Sequence, residues 1–262
     1  MDTLRQYKKE VDVFLAAFLS AKEKDFARVN PWGPDALEKI RAIVSEGKTI
    51  RGSLVLLIHE LLHGTQKDVA RKVAAAYELI QTGLIIHDDI MDRDTMRRGK
   101  PTMHVQYKSD AMALCVGDIC FFLAHELLFC TPVEKISAKI FQEVGVAQMA
   151  DVSHTAKSKI EIVSLYRYKT ARYTFSLPMT AGARLAGADK KLIDLFEQLG
   201  ESMGILFQIQ DDKLDNENNS FTDRDTAAYS KAAKESLERL PIQNKQKQIL
   251  RDLLEFIMNR KK

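Results

Sequence analysis

Apolar residues recur every three or four positions through nearly all of the 262-residue sequence, and no run alternates apolar with polar residues for long enough to make a strand. A chain patterned this way folds into helices, each turning an apolar stripe inward. The punctuation agrees, since 12 Gly and 6 Pro are too few for the many tight turns of a β-sandwich or barrel. The fold class is read as all-α. No linker rich in Ser, Gly or Pro divides the chain, so residues 1–262 are taken as a single domain. Helices are expected over 3–26, 34–46, 50–63, 67–92, 111–130, 132–151, 160–172, 173–187, 189–215 and 226–260. The spans 69–87 and 111–130 carry few charges on any face and are expected at the centre.

Several function classes drop out. A formal charge of +3 gives no support for nucleic acid as a partner, so any basic site must be local. No stretch is read as the ~20 consecutive apolar residues of a transmembrane helix, and residues 1–20 read as an amphipathic helix without the apolar core of a signal peptide. A cytoplasmic protein is expected. Cys115, Cys120 and Cys130 match neither a disulfide framework nor a zinc ribbon, and are read as buried, reduced thiols.

The sharpest local feature is Asp88-Asp89-Ile90-Met91-Asp92, entered directly from the apolar run Gly83–His87. It recurs as Asp211-Asp212-Lys213-Leu214-Asp215 after Gly204–Gln210. In each DDxxD motif the outer carboxylates are four residues apart, on one helical face, where like charges repel by about 0.2–0.5 kcal/mol. At the carboxyl end of a helix they also meet the unfavourable end of its dipole. One copy alone reads as a solvated acidic helix end, but two copies with matching apolar approaches point to bound cations. Clustered carboxylates suit magnesium, which takes one or two of them and fills its other positions with water and substrate phosphate. Basic groups to hold a phosphate ester lie in Gly47-Lys48-Thr49-Ile50-Arg51, in Arg97-Arg98-Gly99-Lys100 and in Tyr168–Tyr173.

Taken together and in order, GKTIR, HDDIMD with RRGKPTMH, Gly117-Asp118, YKTARYTFSLPMTAGARLAG and GILFQIQDDKLD resemble the trans-isoprenyl diphosphate synthases, the chain-elongating prenyltransferases that include farnesyl and geranylgeranyl diphosphate synthases. The resemblance covers most of the chain. It implies an isoprenoid synthase-type helical bundle around a central cavity, usually a homodimer, with the two acidic motifs facing each other across the cavity mouth and three magnesium ions bridging them to an allylic diphosphate. On this resemblance Asp88, Asp92, Asp211 and Asp215 are metal ligands, with Asp89 and Asp212 in support. Arg97 and Lys169 bind the allylic diphosphate (dimethylallyl, geranyl or farnesyl). Lys48, Arg51 and Arg98 bind isopentenyl diphosphate, helped by Gln81. Thr170 and Gln208 direct oxygen dipoles at the developing carbocation. The implied reaction is ionisation of the allylic diphosphate, attack by the isopentenyl double bond and loss of a proton, with no Ser, Cys or His nucleophile. His87, beside Asp88, is read as structural.

Product length follows from helix geometry. Residues 84, 81 and 77 share a face with Asp88, at depths of roughly 6, 10 and 16 Å. Farnesyl-producing relatives commonly place bulky aromatics four or five residues before the first Asp, where this chain has Leu84 and Gly83. Neither is expected to block a tail, so Tyr77 becomes the first candidate floor, its other reading being a core residue with facing helices shaping the floor, and geranylgeranyl diphosphate is the expected product, with twenty-five carbons as the runner-up.

Two features cut across this reading. His59-Glu60-Leu61-Leu62-His63 fits the HExxH zinc motif, but no third ligand is evident and chance accounts for so short a pattern. Thr49 and Gly52 stand where the family often has Arg and Pro. The chain is also short near 108–111, at 154–159 and after Asp215, where a Lys-bearing loop and further helices would be expected. Either mobile segments are absent from this sequence, or the deletion is real and the chain is a non-catalytic, regulatory subunit of a hetero-oligomer.

Overall fold

The computed structural model describes residues 2–153, 158–215 and 221–259, and helices occupy most of them. The all-α reading holds. By its internal contacts the chain divides into two compact units, one formed by Thr3–Ser53 and Asp68–Thr131, the other by Leu54–Lys67 and Pro132–Lys262 with the first two residues.

In the first unit, helices α1 (Asp2–Val29) and α2 (Trp32–Glu46) precede α3 (Ile50–Leu61), whose opening turn belongs here. The long helix α4 (Lys67–Met91) then buries Val73–Leu79 without interruption, as its lack of a charged face predicts. A two-residue ladder, β1 (Met96–Arg97) with β2 (Lys100–Pro101), turns on Arg98 and Gly99, both at positive φ (52° and 76°). Helix α5 (Met103–Tyr107) follows, and Lys108 in the left-handed region with Ser109 as N-cap joins it to α6 (Asp110–Leu128). Helices α4 and α6 touch through two glycines. A Cβ on Gly117 would lie 2.3 Å from His87 Nε2, and one on Gly83 would lie 2.6 Å from Phe121 and 2.9 Å from the Gly117 carbonyl. His87 is accordingly structural, its ring edge-on to Phe121 and its Nε2 3.3 Å from the Leu114 carbonyl.

Helix α6 departs from expectation. It is not enclosed on all sides, because Leu114 and Phe122 are 40% and 72% exposed, and Phe129 just past its end is 64% exposed. A helix apolar all round has an apolar face left over when neighbours cover only part of it. By length and composition α6 could also cross a membrane, contrary to the sequence reading, and 44% of its most apolar stretch is buried. Nor are all three thiols buried. None is in a disulfide, but only Cys120 is enclosed while Cys115 and Cys130 are exposed.

The second unit contains the remainder of α3, α7 (Glu134–Val152), α8 (Lys159–Leu165), a π-helical segment (Tyr166–Ser176), α9 (Leu177–Leu185), α10 (Lys190–Asp215), α11 (Asp223–Glu238) and α12 (Asn244–Met258). Where two helices were expected over 160–187, the backbone runs on unbroken and widens to i→i+5 bonding for eleven residues. Helix α10 packs on this segment through glycines. A Cβ on Gly200 would meet the Ser176 backbone at 2.6 Å, and one on Gly204 would meet Ala171 Cα at 2.4 Å. The single helix expected over 226–260 is two helices instead. Pro241 lacks the N–H that a continuing helix needs, and the chain turns between Glu238 and Asn244.

Candidate active site

In the first unit, the last turns of α4 present the first acidic motif. Asp88 is half-buried and Asp92 exposed, on one face and still in helical register, with the Asp92 amide donating to the Asp88 carbonyl at 2.8 Å. Asp89 points the other way. It is 3% exposed, and its Oδ1 accepts from Arg97 Nε, while Arg97 Nη2 reaches Asp94 at 3.1 Å. Burial raises the Asp89 carboxyl above the usual range, and the Arg97 charge opposes that shift. The ladder thus delivers Arg97, expected as a diphosphate ligand, to the motif itself, with two of its nitrogens on carboxylates.

Of the cations expected for isopentenyl diphosphate, Arg98 approaches the turn that carries Lys48. Arg98 Nη1 lies 3.9 Å from the point a Cβ on Gly47 would occupy, and Lys100 next to it pairs with Glu46. Lys48 is exposed and Arg51 half-buried at the start of α3. Two residues missed in the sequence hold this turn. Lys8 donates to Asp12 (2.8 Å), to the Ser45 carbonyl (3.1 Å) and to Thr49 Oγ1 (3.3 Å), and Thr49 has positive φ (51°). Glu78, 6% exposed on α4, accepts from the Gly52 amide at 2.8 Å. Burial pushes the Glu78 carboxyl up, opposed by the Arg51 charge and by the amides of Gly52 and Arg51. A proline in place of Gly52 would have no N–H for Glu78. The signal for Glu78 was available, as a lone acid within an otherwise apolar face. Gln81 is half-buried one turn further along α4.

Of the residues expected to set chain length, Tyr77 is 1% exposed and Leu84 half-buried. The open space expected at Gly83 is absent, because the Phe121 ring from α6 stands there.

In the second unit, α10 and the π-helical segment assemble the rest. Residues 200, 204, 208 and 212 are each four apart on α10, so the glycine contacts that bring it close also set Gln208 and Asp212 against the segment. Thr170 Oγ1 donates to Gln208 Oε1 at 3.1 Å, and Gln208 Nε2 donates to Asp212 Oδ1 at 2.8 Å. Tyr166, 6% exposed, donates its hydroxyl to the other oxygen of Asp212, which is itself 8% exposed. The structure therefore joins Thr170 to Gln208, a contact the sequence reading did not state, and adds Tyr166. Lys169 pairs with Asp151 on α7. Arg172, counted among the basic residues of this stretch, is committed to Glu143 at 2.8 Å, with Glu197 and Glu201 at 3.5 and 3.8 Å. Asp211 is half-buried, and the Asp215 side chain lies outside the described residues, as does 154–157. Lys213, inside the motif, ties the start of α11 to it through Asp223 (2.9 Å) and Thr226 (2.8 Å).

Among the described residues no three His, Cys, Asp or Glu side chains are gathered as a ready metal cage. Magnesium does not need one, and hard oxygens at Asp88 and Asp92 with room for water and phosphate are the donor set it takes. In the HExxH pattern, His59 is 2% exposed against Gly64, where a Cβ would lie 2.3 Å from the ring, and burial lowers its pKa, while His63 lies past the end of α3 at positive φ (57°).

The sequence profile of the polyprenyl synthetase family matches residues 35–238. The chain belongs to that family. Among its relatives, the short chain isoprenyl diphosphate synthase of Methanothermobacter thermautotrophicus is 33% identical over 232 residues, 82% of this chain and 66% of that one. The geranylgeranyl diphosphate synthase of Sulfolobus acidocaldarius is 36% identical over 65% of this chain and 54% of its own. The chain thus spans less than two thirds of these relatives' length. It aligns nearly end to end with the farnesyl diphosphate synthase of Haemophilus influenzae, 29% identical over 99% of this chain and 98% of that one. That alignment has 302 positions against 262 residues here, a difference of 40, so this chain lacks residues its relative has. In fold it is similar to the crystal structure of geranylgeranyl pyrophosphate synthase from Corynebacterium glutamicum complexed with isoprenyl diphosphate and magnesium, with TM-score 0.84 and 20% identity over 98% and 99% of the two chains.

Proposed function

We propose that this chain is a magnesium-dependent short-chain prenyltransferase that condenses isopentenyl diphosphate with an allylic diphosphate (dimethylallyl, geranyl or farnesyl) and makes geranylgeranyl diphosphate. The observation that carries the reading is a division of labour repeated in both acidic motifs. The second carboxylate of each is buried and bonded to protein, while Asp88, Asp92 and Asp211 stay at partly or fully exposed positions. Magnesium held by these three and Asp215 would offset the charge of the allylic diphosphate and of the diphosphate it releases.

Lys48, Arg51 and Arg98 bind the diphosphate of the isopentenyl substrate as one basic turn, with Gln81 beside it. Arg97 and Lys169 steady the allylic diphosphate. The allylic C–O bond breaks and diphosphate leaves with the electron pair. The isopentenyl double bond attacks the cation, a C–C bond forms, and a proton is lost to leave a new double bond. Thr170 and Gln208 offer oxygen dipoles to the cation, and apolar walls keep water from it. Tyr77 ends the tail. The same reading takes the enzyme as one catalytic domain and a cytoplasmic homodimer, and the exposed apolar stripe of α6 supports a protein partner.

The missing positions favour one other reading, a regulatory subunit that does not elongate. Labelled isopentenyl diphosphate offered with five-, ten- and fifteen-carbon allylic diphosphates, with and without magnesium, separates the two. A magnesium-dependent twenty-carbon product is expected. A longer product keeps the chemistry and discards the Tyr77 floor, and no elongation by folded protein overturns the enzyme reading.

A further inference from the structure

We infer that Asp212 and Tyr166 are positioning residues that set the direction of the hydrogen bond made by the Thr170 hydroxyl. The inference rests on the proposed role of Thr170 and Gln208 at the cation, and it concerns two buried groups bonded to neighbouring side chains.

The argument is one of donors and acceptors. A carboxylate can only accept, and both Asp212 oxygens are engaged, Oδ1 by Gln208 Nε2 at 2.8 Å and Oδ2 by the Tyr166 hydroxyl. Gln208 must therefore turn its NH2 group toward Asp212 and its oxygen toward Thr170. An amide oxygen also only accepts, so the Thr170 proton is aimed at Gln208 across 3.1 Å. The lone pairs of the Thr170 oxygen are left to face outward. Reversing the amide would turn that proton toward a positive centre and convert attraction to repulsion. One buried acceptor thus decides the polarity of two other groups. Its own position is fixed by Tyr166, whose ring packs on Phe221 at 5.4 Å within a cluster that includes Ile205 and Ile209.

Asp212→Leu removes the acceptor, and Asp212→Asn keeps it, because Oδ1 of Asn can still receive the Gln208 amide while its NH2 donates to the Tyr166 oxygen. Asp212→Leu is expected to lower kcat about tenfold, less than the ~10²–10³ lost when a transition-state dipole is deleted outright. The KM for both diphosphates and the magnesium needed for half-maximal rate should stay within about twofold. Asp212→Asn, which keeps the acceptor, should recover most of the kcat lost in Asp212→Leu. A second readout needs no turnover. The Gln208 side-chain NH2 protons, assigned by their loss in Gln208→Leu, should exchange slowly with solvent in wild type and Asp212→Asn and rapidly in Asp212→Leu. Wild-type kcat in Asp212→Leu, equal damage from Asn and Leu, or a raised magnesium requirement in Asp212→Asn would overturn the inference. If wild type elongates nothing, the proposed function falls, and the exchange measurement still decides whether Asp212 orients the amide.

Discussion

The two acidic motifs bury the same member and satisfy it with different chemistry. Asp89 meets a guanidinium carried in by a two-residue ladder, and Asp212 meets an amide from its own helix and a phenol from the segment beside it. A charged partner is itself usable by a substrate anion, whereas neutral donors contribute direction and no charge. The first motif is built to share its cation, the second to fix an orientation.

That contrast can be broken at the outer carboxylates, where the two motifs should behave alike. Asp88→Ala and Asp211→Ala are each expected to lower kcat by about 10²–10³ or more, with the fold unchanged by circular dichroism. A severe loss in one and none in the other would show that the repeat is one of sequence alone. The inner carboxylates should then differ in stability. Arg97→Ala strands a buried carboxylate and is expected to cost about 2 kcal/mol in urea denaturation, below the 3–5 kcal/mol of a fully buried pair because Arg97 is 36% exposed. Tyr166→Phe leaves Asp212 its Gln208 bond and should cost about 1 kcal/mol.

The smallest expected effects come from pH, and they have opposite signs in the two units. Glu78 carries a pKa raised by burial, so the native state holds its proton longer than the unfolded chain does. Its contribution is full below the unfolded carboxylate pKa and is lost as pH rises through the folded one. His59 carries a lowered pKa, so its contribution is full above the unfolded histidine pKa of about 6.5 and falls away on acidification. Each slope is at most about 1.4 kcal/mol per pH unit. Glu78→Gln should flatten the first and His59→Leu the second, read as urea midpoints against pH.

What the sequence displayed depended on how local the cause was. Helical periodicity and the doubled DDxxD follow from spacing within a helix or from motif order. Burial of Asp89 and Asp212 does not, because it depends on Arg97 and Tyr166 arriving from elsewhere in the chain. The Phe121 ring beside Gly83 was hidden for the same reason, since an absent side chain reads as space until the facing helix is known. The Pro241 break was legible and only required that a missing N–H be weighed above continued periodicity. The exposed stripe of α6 has no counterpart in the sequence, where an apolar helix that is enclosed looks the same as one that is half-covered.

The eleven-residue π-helical segment makes this part of the chain sensitive to length in a way a substitution scan would not reveal. Tyr166, Lys169 and Thr170 enter from its first turns, while Ala171 and Ser176 are pinned against glycines of α10. Removing one residue near 167 or 168 would let the backbone relax to ordinary α-helix with every remaining contact residue still encoded. Those upstream of the deletion would then be rotated by about 100° relative to the pinned part. For this stretch the count of residues is as much a part of the local design as their identity.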